Sequence, residues 1–111
     1  MTSESIGIVV QHLAMEMKRI FGNKLKKVIL YGSCARGDFS PDSDIDVMIL
    51  LDIPQEDLPI ARKMVMDASD RLDLDYDVVL TPVVQTYQNF ELYRNASVFY
   101  QNIEKEGVLV A

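Results

Sequence analysis

Two aspartates at positions 44 and 46, in Ser43-Asp44-Ile45-Asp46-Val47, are the residues of this chain best suited to do chemistry. On an extended strand, side chains two apart turn to the same face, so both carboxylates aim at one spot. Magnesium takes oxygen ligands in near-octahedral geometry and commonly uses one or two carboxylates together with phosphate oxygens of a substrate. A third carboxylate from an adjacent strand would let two metal ions clamp the attacking and leaving oxygens of an in-line phosphoryl displacement. Asp73, Asp75 and Asp77 share one parity. Asp77, directly ahead of Val78-Val79-Leu80, is the most firmly inside a strand and is the first choice, with Asp75 the main alternative.

Aspartates also enrich the turns before strands, and Asp42-Ser43-Asp44 alone reads that way. Asp46 resists that reading, because an ionised aspartate followed by Val-Met-Ile-Leu-Leu is disfavoured in a strand unless a partner or a metal compensates it. Upstream, Gly32 and Ser33 leave an apolar strand for the start of a short helix, where free N–H groups and the helix dipole favour an anion. Glycine permits close backbone approach and the Ser33 hydroxyl can donate to a phosphate oxygen. Arg36, one helical turn on, can hold phosphate oxygens with its planar fork, or else is a surface arginine near Asp38 or Asp42. Ser43, beside the first aspartate, completes the candidate phosphate-binding set.

Other chemistries fit less well. Asp42, Asp44 and Asp46 match the first alternating ligands of an EF-hand, but Val47 stands where its glycine is needed and Ile53 where its closing glutamate belongs. No Gly-Lys-Ser/Thr loop exists, so the P-loop route to nucleotides is closed. His12 has no second histidine or cysteine near it and reads as structural. Cys34 lies at a helix start that can lower a thiol pKa, yet nothing in the pattern calls for a thiol there.

The elements that position these residues follow from periodicity. Ile6, Val9, Val10, Leu13, Met17, Ile20 and Phe21 mark an amphipathic first helix stopped by Gly22-Asn23. Lys27 to Tyr31 reads as a buried strand, Asp38 to Ser43 as a loop and Asp44 to Leu51 as a second strand. Asp52 can cap the next helix and Pro54 suits its first turn, with Leu58, Ala61, Met64, Val65, Ala68 and Leu72 as the buried stripe. Leu74 to Leu80 is expected as the third strand, ended by Thr81-Pro82 and joined to the second by a helical crossover. Phe90, Tyr93, Phe99 and Ile103 suggest short packing helices, and Val108 to Val110 an edge strand. The expected architecture is α/β (α+β): a small mixed sheet flanked by helices.

With 111 residues the chain suits one compact domain, residues 1–111, and about half of it is apolar. No apolar run reaches membrane-spanning length, and a single cysteine fits a reducing compartment, so a cytoplasmic protein without a membrane role is expected. A net charge of −6 disfavours a broad grip on nucleic acid, and extended DNA binding is not expected. A small phosphorylated ligand brought in with metal is compatible with that charge.

Gly32-Ser33-Cys34-Ala35-Arg36-Gly37, ten residues between Ser33 and Asp44, and then Asp44-Ile45-Asp46 resemble the minimal nucleotidyltransferases of the polymerase-β superfamily. The match covers the strand-loop-strand core from about Val28 to Leu50, with Asp77 where that family carries its third carboxylate. The resemblance implies a polymerase-β-type fold, two Mg2+ ions on Asp44, Asp46 and Asp77, and nucleotide phosphates at Gly32 and Ser33. It also implies the reaction, in which an acceptor hydroxyl attacks the α-phosphorus of ATP or another nucleoside triphosphate and pyrophosphate leaves. Many members this short are antitoxins paired with a helical HEPN-type toxin, on which they adenylylate a tyrosine. That setting is the leading expectation. The alternatives are a non-catalytic antitoxin or scaffold that neutralises a partner by binding, and an aminoglycoside-type transferase acting on a small molecule. The acceptor, the base preference and the presence of a homo-oligomer are left open by the residues.

Overall fold

The computed structural model describes residues 1–111. Helix α1, Ser3–Phe21, opens on a reciprocal cap: the Thr2 hydroxyl accepts from the Ser5 N–H at 3.0 Å and the Thr2 N–H donates to the Ser5 hydroxyl at 2.8 Å. Its buried stripe runs Ile6, Val9, Val10, Leu13, Ala14 and Met17, as the helical spacing predicts. Gly22, at φ 58°, ends the helix and opens a 3-10 turn, Gly22–Lys24. Strand β1, Leu25–Tyr31, is followed by the four-residue helix α2, Ser33–Arg36, then by a polar loop and strand β2, Ile45–Leu51.

After β2 come a 3-10 turn, Gln55–Asp57, helix α3, Leu58–Tyr76, and strand β3, Leu80–Thr86. Helices α4, Tyr87–Tyr93, and α5, Val98–Glu106, then lead to the two-residue strand β4, Val108–Leu109. The sheet order is β3-β2-β1-β4; β2 and β3 are parallel, and the other neighbours are antiparallel. Alternation along the strands divides the core. Val28, Leu30, Ile45, Val47, Ile49 and Leu51 bury against α1 and α3, while Ile29, Met48 and Leu50 meet Phe90 and Ile103 from α4 and α5. Asp46 shares the parity of Met48 and Leu50 and therefore faces the second, smaller layer. The mixed sheet flanked by helices is the architecture expected from the sequence.

The third strand departs from expectation. Leu74 to Leu80 was expected to be extended, but α3 continues through Tyr76, and Asp77 caps it in the left-handed conformation at φ 53°. Two signals compete here. The buried series Leu58, Ala61, Val65, Ala68, Leu72 keeps helical spacing, whereas Asp73-Leu74-Asp75-Tyr76-Asp77 alternates like a strand. The helix wins, and Leu74 is left 85% exposed. The strand runs six residues beyond Leu80, through Pro82, which is tolerated because β3 is an edge strand paired only with β2. Asp52 does not cap α3; its N–H donates to the Lys24 carbonyl at 2.7 Å, and the cap position falls to Asp57. Met64, Tyr93 and Phe99 are exposed rather than buried.

Two glycines give opposite predictions. A Cβ at Gly107, where α5 turns into β4, would collide with the Ile103 carbonyl and come within 2.5 Å of the Ile29 side chain. Gly7, inside α1, has nothing within 4 Å. Gly107→Ala should therefore lower stability in urea denaturation by ~1–3 kcal/mol, and Gly7→Ala should raise it by ~0.5–1 kcal/mol.

Candidate active site

The site forms where β1 ends and β2 begins. Antiparallel register sets Tyr31, the last residue of β1, opposite Asp46, so the turn leaving β1 lies against the acidic start of β2. Gly32 takes φ 74° there, and a Cβ built on it would stand 2.5 Å from Asp46 Oδ2. Glycine is required twice over, by its backbone conformation and by the carboxylate occupying the space of a side chain. The other oxygen of Asp46, Oδ1, accepts a 2.6 Å hydrogen bond from the Thr81 hydroxyl, and Thr81 is the residue of β3 directly in register with Asp46.

Asp44 lies one residue ahead of β2 and is exposed, with its main-chain carbonyl accepting from the Cys34 thiol at 3.5 Å. The charges of both Asp46 and Asp44 are felt at Cys34, so the pair and the Gly32-Ser33 turn share one neighbourhood. Two oxygen donors, one of them free and the other held by its neighbours, are a chemically suitable donor set for a hard divalent cation. Burial pushes the Cys34 thiol up, and it does not become the low-pKa cysteine that a helix start can produce. The Tyr31 hydroxyl is pushed up to about 12, by burial first and by the charge of Asp46 second. Its ring meets Phe99 of α5 edge-on at 5.7 Å.

The other expected residues are placed differently. Asp77 does not join Asp44 and Asp46: no group of three or more His, Cys, Asp or Glu side chains is disposed to hold a metal ion. As the end-cap of α3 it instead borders a concave surface with Asp42, Ser43, Tyr76 and Val79. Asp75 lies within α3. Asp73 is engaged elsewhere, accepting from the Leu80 N–H at 2.9 Å, and burial raises its carboxyl pKa. Arg36 is exposed and pairs with Asp38 at 3.2 Å and Glu106 at 3.3 Å. Ser43 closes its own loop, its hydroxyl accepting from the Ser40 N–H at 2.9 Å. His12 is structural, within 2.9 Å of the Tyr76 hydroxyl. Sequence reasoning missed Thr81, which it took for a strand end. The β-branched series Val78, Val79, Thr81, Val83 and Val84 is the signal that would have carried the strand past it.

Gly32→Ala should cost ~1–3 kcal/mol of stability by urea denaturation. It should cost less in an Asp46→Ala background, where only the backbone strain remains; equal costs would show that the two residues do not touch. In an ultraviolet titration one of the five tyrosines should ionise last, near pH 12, and earlier in Asp46→Ala. An unfolded tyrosine ionises near 10, so the folded state holds this proton longer. The corresponding stability is complete below pH 10 and is lost as pH rises toward about 12.

Residues 10–110 match the family model described as nucleotidyltransferase domain. The chain is 33% identical over 98 residues to the candidate protein adenylyltransferase MJ0604 of Methanocaldococcus jannaschii, covering 88% of this chain and 90% of that protein. It is 31% identical over 78 residues to a second candidate of the same organism, MJ0141, covering 68% of this chain and 75% of that one. Among solved structures, a candidate nucleotidyltransferase of Sulfolobus solfataricus superposes with a TM-score of 0.64 at 20% identity, over 96% of this chain and 80% of that one. A toxin-antitoxin structure with AMP-PNP gives 0.59 at 23% identity, over 91% and 72%, and a mutant form of the toxin-antitoxin MntA-HpeT gives 0.58 at 21% identity, over the same shares. The structural likenesses agree on the fold, the family model and the two sequence relatives on the family: this chain is a nucleotidyltransferase of the minimal nucleotidyltransferase family.

Proposed function

We propose that the chain moves AMP from ATP onto a hydroxyl of a partner protein, releasing pyrophosphate, with Asp44 and Asp46 holding Mg2+. The observation that carries this reading is the convergence of the acidic pair with the Gly32-Ser33 turn, where Asp44 is left free by the protein. A bound Mg2+ would supply charge stabilisation to the phosphate oxygens during displacement. The turn binds and orients the phosphates through main-chain N–H groups and the Ser33 hydroxyl. The acceptor oxygen forms its bond to the α-phosphorus as the bond to the β-phosphate oxygen breaks, and the acceptor gives up its proton. An aspartate beside the acceptor can help remove that proton.

Protein as acceptor is supported by the sequence relatives, both named as candidate protein adenylyltransferases, and a toxin as partner by the two toxin-antitoxin structures that share the fold. A HEPN-type helical toxin, with a tyrosine as acceptor, follows from the motif resemblance. Arg36 has a part in phosphate binding only if it leaves its two carboxylates, and Ser43 only if its loop rearranges.

The test is transfer of label from α-phosphate-labelled ATP, with Mg2+, into macromolecules of a host lysate. The unsubstituted chain should label a protein band, and the Asp44→Asn, Asp46→Asn variant should lose the signal by roughly a hundred-fold or more. Equal labelling by the two would remove the pair from the chemistry. Absence of label with the partner and metal confirmed present would favour neutralisation by binding alone.

A further inference from the structure

On the side of the site away from Gly32 stands a residue outside the Gly32-Ser33 and Asp44-Ile45-Asp46 motif. Thr81 is the β3 residue paired with Asp46 across the parallel ladder, and both side chains lie on the same sheet face. Its hydroxyl contacts Asp46 Oδ1 at 2.6 Å and the Ile45 carbonyl at 3.3 Å. A hydroxyl has one proton, and the shorter contact lies in the range of charge-assisted O–H···O− bonds. With Oδ2 lodged against Gly32, both oxygens of Asp46 are oriented by neighbours before any ligand arrives.

The same position matters for charge. A carboxylate supplied by β3 in register with Asp46 would have to stand where Thr81 stands; Asp73 instead accepts from the Leu80 N–H, and Asp77, where α3 ends, forms no three-carboxylate group with Asp44 and Asp46. We propose that Thr81 is a positioning residue that fixes Asp46 for a single divalent ion, in place of the third carboxylate that would complete a two-ion site. The proposal rests on the metal reading of Asp44 and Asp46 given above.

Mn2+ alone, titrated into the full chain and followed by the paramagnetic resonance signal of free ion, tests it. The unsubstituted chain should bind one Mn2+. Thr81→Val, which keeps the β-branched shape, should bind it roughly ten- to a hundred-fold more weakly, as losses of residues that orient metal ligands do. Thr81→Ser, which keeps the hydroxyl, should stay within about three-fold of the unsubstituted chain. Thr81→Ala serves the same comparison as valine if the valine variant does not fold. Valine or alanine binding as well as threonine, serine binding as poorly as valine, or a second saturable Mn2+ per chain would each overturn the proposal. A chain that binds no Mn2+ would overturn the metal reading itself, which separates the two failures.

Discussion

The site depends on the register between β1 and β2. Because the two strands are antiparallel with Tyr31 opposite Asp46, the turn that leaves one is pressed against the carboxylates that open the other. That register is held by apolar side chains on both faces: Val28 and Leu30 with Val47 and Ile49 beneath α1 and α3, and Ile29 with Met48 beneath α4 and α5. A slip of one residue would send Asp46 into the larger core beneath α1 and α3 and turn Val47 toward the smaller layer under α4 and α5. An aspartate at the start of a mostly apolar strand is therefore tolerated at a cost that the buried remainder of β2 offsets.

Burial and charge are divided along β2. From Val47 onward every residue is buried, whereas Asp46 is half-buried and Asp44 exposed. An ionised carboxylate at the border of an apolar sheet requires a compensating donor. Thr81 gives Asp46 that donor from the neighbouring strand, and the glycine turn leaves room for its second oxygen. The pKa of Tyr31 is raised first by burial and second by the charge of Asp46, beside which another negative charge is unfavourable. A chain of net charge −6 has little to attract a polyanion by itself, and a phosphorylated substrate accompanied by cations suits it better.

Much of this was legible in the sequence, for identifiable reasons. Asp46 is legible because an aspartate heading five apolar residues conflicts with strand burial, and Gly32-Ser33 because it ends a short apolar run with ten residues between Ser33 and the acidic pair. The first helix and the parallel crossover followed from clean helical spacing. The end of α3 was not legible. Asp73 to Asp77 alternates in hydrophobicity at the point where the helix has lost its buried stripe, and its true terminus depends on Asp77 adopting a left-handed conformation that aspartate tolerates. That misplacement moved the third strand by several residues, promoted Asp77 to a strand position, and hid Thr81. Partners that form through tertiary contact alone, such as Arg36 with Glu106, leave no local signal.

The most direct test of the account is a crystal of the chain grown with Mn2+ and a non-hydrolysable ATP analogue, with the metal located by its anomalous scattering. The account predicts density bonded to carboxylate oxygens of Asp44 and Asp46, with the triphosphate against Gly32 and Ser33. Metal at Asp42 and Asp77 instead, with the Asp44 and Asp46 carboxylates free, would contradict it.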